Sequence, residues 1–296
     1  MLGIATGLFT STSTLLPQAV QAQEGKAVEG QIGLQASVTP IMDSIAVFHD
    51  GLLMWIISGI VLFVTVLLLY IMIRYNARAN PTPSKTTHNV PLEIAWTVVP
   101  IVILIVIAVP SFGVLADQQT IPDGNRKYLG ANIFSFGEVE MPAPELTIKA
   151  TGVQWNWEYD YVDYDGADFS SFMLSDAERL AQKPDEPRLL ATDFDLVVPV
   201  DTTVRVQVTA TDVIHAFAVP SFGIKIDAVP GRLNETWFNS RKTGMFYGQC
   251  SELCGKDHAF MPISVRVVSK EEFATWIEAV QANGVAQAAS VLSPIS

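Results

Sequence analysis

The chain has 296 residues, of which 49% are hydrophobic and only 16% are charged, and its formal net charge is −12. High apolar content with few charges excludes an intrinsically disordered chain. The acidic balance excludes a nucleic-acid-binding protein, because a phosphate backbone attracts a basic surface. Two cysteines are too few for a disulfide-rich scaffold, so we expect both to act at a single site.

The first residues resemble an export signal. Residues 1–22 are apolar and rich in small side chains, and Val20-Gln21-Ala22 has the pattern of a cleavage site. No basic stretch precedes the apolar run, so an uncleaved segment is the alternative. We predict a signal peptide over residues 1–22, followed by a polar exported lead over 23–48.

Two long apolar runs follow the lead. Residues 51–73 and 94–115 contain no charged side chain, and each is long enough to cross a hydrocarbon core of about 30 Å as a helix. The loop between them carries three basic residues, Arg74, Arg78 and Lys85. The positive-inside rule places such a loop in the cytoplasm. We therefore predict a transmembrane hairpin over residues 49–115, with both chain termini outside.

The remainder of the chain predicts an exported β-domain. Residues 116–143 are polar and contain glycine and proline, as expected of a linker. Beyond them the hydrophobic period becomes that of strands. Nine strands are predicted, at 145–152, 154–161, 195–200, 203–210, 216–219, 225–229, 235–239, 245–247 and 263–268. Ser269 is the expected N-cap of a short closing helix. Residues 144–296 are thus expected to form a β-sandwich or Greek-key barrel.

One short segment near the end concentrates residues that bind metals. It holds both cysteines, a histidine and a methionine, and a further histidine lies upstream: Cys250, Cys254, His258, Met261 and His215. Thiolate, imidazole and thioether together select copper, whereas zinc sites do not recruit methionine. A mononuclear blue-copper site uses one cysteine. The second thiolate therefore points to two bridged copper ions, with the Glu252 carbonyl as a further weak ligand.

Other chemistries use a pair of cysteines. A structural disulfide is one, and the neighbouring histidines and methionine argue against it. Thiol redox catalysis favours Cys-x2-Cys at a helix start in a thioredoxin-like unit, which this pattern lacks. A membrane-tethered copper chaperone is the alternative from another class. In that family the histidine lies far after the cysteines, whereas here one histidine precedes the pair.

Five motifs, in order along the chain, resemble subunit II of the haem–copper cytochrome c oxidases. They are Val90–Pro100, Gly152–Trp157, Thr211–Phe217, Asp227–Arg232 and Cys250–Met261. The resemblance covers residues 40–282 and implies a membrane-anchored, all-β protein, with a two-helix hairpin before a cupredoxin-like domain that carries the binuclear copper centre CuA. It also implies a multi-pass protein of the bacterial inner membrane with a periplasmic domain. The family's Trp-Tyr-Trp is Trp155-Asn156-Trp157 here, and the 116–143 connection is longer.

The resemblance assigns roles to individual residues. Six match the copper ligands: His215, Cys250, Cys254, His258, Met261 and, through its carbonyl, Glu252. The Glu252 carboxylate is expected to bind a magnesium ion shared with subunit I. Trp155 is the expected entry point for electrons from cytochrome c. Glu93 matches an acid at the mouth of a proton channel that continues in subunit I, and it also suits the first turn of a helix.

The implied function is that of an electron-entry subunit. It takes electrons from cytochrome c and passes them to haem in subunit I, where oxygen reduction is coupled to proton translocation. The expected partners are subunits I and III, cytochrome c and the membrane. Neither predicted span contains a histidine, so haem is assigned to the partner subunit only. A quinol oxidase subunit II shares the fold without the copper ligands, and nitrous oxide reductase has the copper domain without the hairpin.

The negative charge is concentrated in the exported domain. Residues 138–201 contain 15 acidic and four basic side chains, a net charge of −11. Beside Trp155, such a surface would steer a basic cytochrome c, with an association rate that falls as salt rises. The acids expected at this docking surface are Glu158, Asp160 and Asp163, together with Asp212, which the resemblance assigns to the face that docks cytochrome c.

Overall fold

The first membrane helix begins earlier than its apolar run. The computed structural model describes residues 25–125, 127–128 and 139–293, so the predicted signal peptide lies outside the described residues. Helix α1 (Pro40–Ala46), a π-helical segment (Val47–Leu53) and α2 (Met54–Arg74) follow one another without a break. The start falls inside the predicted lead, because the Thr39 side chain accepts a hydrogen bond from the Met42 N–H as an N-cap.

The second membrane helix, α3 (Val90–Gln119), starts at an asparagine N-cap, Asn89. Both helical stretches are long and apolar enough to cross a membrane. They pack together near their outer ends, where Ile45 and Phe48 lie against Val114. Helix α3 continues beyond the predicted span into the predicted linker, because its last turn is bound by the β-domain.

The β-domain is a sandwich of two five-stranded sheets. In chain order the strands are β1 (Lys127–Tyr128), β2 (Val139–Glu140), β3 (Leu146–Val153), β4 (Asn156–Tyr161), β5 (Asp168–Ser171), β6 (Leu196–Pro199), β7 (Thr203–Ala210), β8 (His215–Val219), β9 (Ile224–Ala228), β10 (Asn234–Asn239), β11 (Gly244–Cys250) and β12 (Pro262–Val268). One sheet has the order β10-β7-β3-β4-β5, and the other β6-β12-β11-β8-β9. The pairs β3–β7 and β6–β12 are parallel and the other pairs within the two sheets are antiparallel. Strands β1 and β2 pair antiparallel as a separate two-stranded sheet.

The core lies between the two sheets and under the C-terminal helix. Burial alternates along β3, as the period-two pattern predicts. Trp157 of one sheet packs edge-on against Phe217 of the other, with ring centroids 5.3 Å apart. Helix α5 (Lys270–Asn283) covers one end with Trp276, and Ser269 is its N-cap as predicted. A short helix, α6 (Val285–Ala288), follows. The predicted fold class is therefore confirmed.

The segment between β4 and β6 contains two elements that the sequence pattern did not predict. Strand β5 is an edge strand in which only Phe169 and Ser171 are buried, so its hydrophobic alternation is too weak to recognise. Helix α4 (Asp176–Gln182) has no buried residue and depends on a capping box between Ser175 and Glu178. Neither element has the apolar periodicity on which the predictions relied.

A buried cluster of charged side chains lies just after α4. The Lys183 ammonium is 2.7 Å from the Asp195 carboxylate and 3.4 Å from the Glu186 carboxylate. Both carboxylates are less than a tenth exposed. Burial and the nearby Asp195 charge raise the pKa of Glu186, and the attraction of Lys183 does not fully offset them.

We predict that Glu186 gives the β-domain a component of stability that increases on acidification. A carboxyl with a raised pKa binds its proton more tightly in the folded chain than in the unfolded chain, so lowering the pH through the raised pKa favours folding. Glu186→Gln should remove this component and should be at least as stable at neutral pH. Urea-unfolding midpoints across the acid-to-neutral range test it, with the exposed Glu278→Gln as control. Identical pH dependence in all three chains would contradict the prediction.

Candidate metal centre

Two neighbouring strands and one loop bring the predicted ligands together. His215 is the first residue of β8 and Cys250 is the last residue of β11, and these strands pair antiparallel. The loop after β11 folds back on itself, because the Cys250 N–H donates to the Met261 carbonyl at 3.0 Å. A histidine from a strand start, a cysteine from a strand end and the rest of the loop therefore meet at one edge of the sandwich.

The ligand atoms form a compact set. The two sulfurs are 3.7 Å apart, far beyond the bond length of about 2.05 Å in a disulfide, and both thiols are free. His215 Nδ1 lies 3.8 Å from the Cys250 sulfur, whereas His258 Nδ1 lies 3.6 Å from the Cys254 sulfur. The Glu252 carbonyl oxygen is 3.3 Å from the Cys250 sulfur. Each histidine thus faces a different cysteine, a donor set that fits two metal ions sharing both thiolates.

The site is buried on its protein side and open at its rim. His215 and Met261 are at most 1% exposed, and both cysteines are at most 5% exposed, while His258 is half-buried. A Cβ atom at Gly152 would lie 2.8 Å from the His215 ring, so the ring position requires glycine there. Tight packing of this kind holds the imidazole in one orientation.

The two thiols differ in acidity. Burial acts to raise the pKa of Cys250, but hydrogen bonds with His215 and with the backbone outweigh it and lower the pKa to about 6. Burial, and then the charge of Cys250, raise the pKa of Cys254 to about 12. Without a cation the pair therefore carries one negative charge near neutral pH. Binding of a soft cation to both sulfurs would release the second proton.

Asp212 contacts the buried His215 imidazole at Nε2, the ring nitrogen that does not face Cys250. Its Oδ1 is 2.9 Å from His215 Nε2, and its two oxygens also accept the backbone N–H groups of Val213 and Gln154 at 2.6 and 2.7 Å. A carboxylate at Nε2 keeps a proton on that nitrogen, so Nδ1 is the nitrogen that would lose its proton to Cys250 or to solvent when a metal binds. Sequence reasoning assigned Asp212 to docking only and missed this contact; the docking role stays a prediction.

Asp212→Ala should therefore weaken copper binding by about 10–100-fold, the usual effect of losing the partner of a metal-binding histidine. Asp212→Asn, which keeps an acceptor oxygen, should lose less. Competition with a copper chelator measures the affinity without any contribution from docking. Asp160→Asn removes a charge on the outer face of β4 and should bind copper like the wild type. Equal affinities for Asp212→Ala and Asp160→Asn would contradict the positioning role.

Trp155 is joined directly to the cysteine loop. It lies half-buried in the tight turn between β3 and β4, and its indole N–H donates to the Cys254 carbonyl at 3.1 Å. The Gln154 side-chain amide donates to the same oxygen at 2.8 Å. The Lys256 ammonium lies 5.5 Å from the centre of the indole ring. Gln154 was missed by sequence reasoning, and only its position beside Trp155 could have indicated it.

The carboxylates of the remaining predicted residues are not among the ligand atoms described above. Glu252 has an exposed side chain on the cysteine loop. Glu158 and Asp160 are exposed on β4, and Asp163 is exposed and accepts the Thr147 N–H at 2.7 Å. Glu93 lies in the first turn of α3, where its carboxylate accepts the Asn89 N–H at 3.0 Å. The β-domain binds the last turn of α3, so Glu93 lies at the far end of this helix from the β-domain.

Two family models match most of the chain. The transmembrane domain of cytochrome c oxidase subunit II matches residues 27–114. The periplasmic domain of the same subunit matches residues 146–268. The first match contains the whole of the first membrane-type helix and the second one up to residue 114, and the second match contains all the predicted copper ligands.

Relatives of known family are similar over nearly the whole chain. A probable cytochrome c oxidase subunit 2 of Rickettsia bellii is 50% identical over 257 residues, covering 86% of this chain and 87% of the relative. Cytochrome c oxidase subunit 2 of Cereibacter sphaeroides is 42% identical over 295 residues, covering 95% and 89%. The crystal structure of the periplasmic domain of subunit II of Bradyrhizobium japonicum cytochrome oxidase is 60% identical, covers 48% of this chain and 96% of that chain, and has a TM-score of 0.44. This chain therefore belongs to the cytochrome c oxidase subunit II family and is a subunit of an oxidase complex.

Proposed function

We propose that this chain is the electron-entry subunit of its oxidase. It accepts electrons from cytochrome c at a copper pair and passes them to haem in subunit I, where O2 is reduced to water and protons are translocated. The observation that carries the proposal is the paired donor set, two sulfurs 3.7 Å apart with a separate histidine facing each. When bound there, two bridged copper ions supply a one-electron carrier.

The residues of this chain would keep the ligand geometry constant. Cys250 and Cys254 would hold both ions, His215 and His258 one ion each, and the Met261 sulfur and Glu252 carbonyl would act as weak ligands. The buried β8–β11 pair and the Asp212 hydrogen bond restrict movement of the ligand atoms. A rigid site changes little between its oxidised and reduced forms, and this favours rapid electron transfer.

The surface around Trp155 supports its role as the entry point. The half-buried indole connects the surface to the backbone of a ligand cysteine through one hydrogen bond. Exposed Glu158 and Asp160 lie on the strand that begins immediately after Trp155. We propose that these acids, with Asp163 and Asp212, attract a basic cytochrome c to this turn.

Further roles follow from the positions of two carboxylates and of the basic loop. The exposed Glu252 carboxylate would bind a magnesium ion at the contact with subunit I, and Glu93 would lie at the mouth of the proton channel. By the positive-inside rule the basic loop that contains Arg74, Arg78 and Lys85 would lie in the cytoplasm. We therefore propose that the hairpin lies in the bacterial inner membrane with both termini in the periplasm. Subunit III is the other proposed partner, and residues 1–22 the proposed signal peptide.

Reduction of the assembled oxidase by cytochrome c tests the proposal. We expect rapid reduction of the copper centre in stopped-flow experiments, with a second-order rate that falls as ionic strength rises. A small uncharged reductant is the control, because its rate should not depend on salt. A copper-loaded oxidase that cytochrome c does not reduce, or reduces at a rate independent of salt, would contradict the proposal.

A further inference from the structure

The turn between β8 and β9 is bound by residues at the start of the first membrane helix and at the end of the second. It consists of a 3₁₀ segment (Pro220–Phe222) and Gly223. Its carbonyls accept three hydrogen bonds: Ser221 from the Val38 N–H at 3.3 Å, Phe222 from the Thr39 hydroxyl at 2.7 Å, and Gly223 from the Gln118 amide at 2.8 Å. Val38 and Thr39 directly precede α1, and Gln118 belongs to the last turn of α3. We call these three bonds the turn clamp.

The first helix is fitted closely to this turn. Thr39 is fully buried and also caps α1. Gly223 has a φ of +70°, and a Cβ atom there would lie 2.8 Å from the Met42 α-carbon, so glycine is required. The Arg241 guanidinium binds both Asp43 carboxylate oxygens, at 2.6 and 3.0 Å. The start of α1 therefore packs tightly on the β-domain.

The second membrane helix, α3, is bound by strand β10. The Trp237 indole N–H donates to the Asp117 carbonyl at 2.8 Å, and the Thr236 hydroxyl donates to the Gln118 carbonyl at 3.0 Å. Both carbonyls belong to the last turn of α3, where a helix has no further N–H groups of its own to donate to its carbonyls. The β-domain supplies the donors instead. The β-domain is thus fixed to two helices that are separated in sequence.

Strand β8 connects the turn clamp to the metal centre. Strand β8 runs from His215 to Val219, the residue directly before the clamped turn, and all five of its residues are buried. At about 3.3 Å per residue, the four steps of this strand span about 13 Å. The strand that carries one metal ligand at its start therefore ends on the membrane helices.

We propose that the turn clamp fixes the position of the metal centre relative to the membrane helices and so sets the rate of onward electron transfer. This inference rests on the proposed function. One electron leaves the reduced centre and one haem of the partner subunit gains it, with no bond made or broken. Thr39 and Gln118 are positioning residues, because neither contacts the metal ligands. Entry at Trp155 takes place on the β-domain itself, so loosening the turn clamp should leave it unchanged.

The test uses shape-conserving variants in the assembled oxidase. Thr39→Val with Gln118→Met removes two of the three hydrogen bonds of the turn clamp. Gln119→Met, at the exposed neighbouring glutamine, is the matched control, and Thr39→Ser retains the hydroxyl. If the double variant does not assemble, Gln118→Met alone leaves the N-cap in place. Three quantities are measured: the copper spectrum, the rates of entry and onward transfer, and amide hydrogen exchange over residues 38–43 and 220–223.

We expect a wild-type copper spectrum and entry rate in the double variant, faster hydrogen exchange at both segments, and onward transfer slowed by about tenfold, since small misplacements of reacting groups have large effects on rate. Gln119→Met and Thr39→Ser should behave as wild type. Faster exchange with unchanged onward transfer would overturn the positioning role, and unchanged exchange would overturn the turn clamp itself. A wild-type oxidase without copper in this chain would instead contradict the proposed function.

Discussion

Cys254→Ser should reduce the copper content of the chain from two ions to one and slow electron transfer through it. A serine hydroxyl does not ionise near neutral pH and is a poor ligand for copper, so the second thiolate bridge is lost. The ligands that remain are Cys250, two histidines and Met261. That is the donor set of a mononuclear blue-copper site. We therefore expect the variant to have the absorption and spin-resonance spectrum of a single copper bound by one cysteine.

Metal analysis and spectroscopy of the purified oxidase check this expectation. Ser251→Ala is the matched control, because Ser251 lies in the same loop and its hydroxyl donates to the Gln249 carbonyl at 3.4 Å rather than to a predicted ligand. The control should retain two copper ions and full turnover with cytochrome c. A Cys254→Ser chain that still holds two copper ions with an unchanged spectrum would show that the sulfur of Cys254 does not bridge them.

Trp155→Phe should slow electron entry without changing the metal centre. Phenylalanine keeps an aromatic ring but removes the N–H that donates to the Cys254 carbonyl. We expect the rate of copper reduction by cytochrome c to fall by about tenfold or more, the scale on which lost positioning contacts affect rates. The copper spectrum should stay that of the wild type, because Trp155 supplies no ligand atom.

Two comparisons separate this effect from a general loss of function. A small reductant that diffuses to the centre should reduce the Trp155→Phe and wild-type oxidases at the same rate. Trp55→Phe makes the same substitution in α2, at an exposed tryptophan, and should leave entry from cytochrome c unchanged. An unchanged cytochrome c rate in Trp155→Phe would remove Trp155 from the entry route.

The sequence predicted the elements that have long or regular hydrophobic patterns. The two membrane helices and all nine predicted strands are present, and β7 has the predicted bounds. The strand predicted at 154–161 starts two residues later, because Gln154 and Trp155 form the turn before β4. Strand β5 and helix α4 were missed because an edge strand and a fully solvated helix carry little hydrophobic signal.

The candidate ligands were recognisable because their chemistry and spacing are local. Cys250, Cys254, His258 and Met261 lie within one loop, and thiolate, imidazole and thioether together favour copper. The contacts that position them are not local in sequence. The Gln154 amide reaches a carbonyl 100 residues away, and the Thr39 hydroxyl reaches one 183 residues away. Such contacts depend on the packing of distant elements, which hydrophobic periodicity does not describe.

Metal content and electron spin resonance of the full-length oxidised chain test the two-copper proposal most directly. We predict two copper ions per chain and a spectrum in which one unpaired electron couples equally to both copper nuclei. One copper ion with the hyperfine pattern of a single nucleus would contradict this proposal. A copper-free chain with a disulfide between Cys250 and Cys254 would contradict it equally.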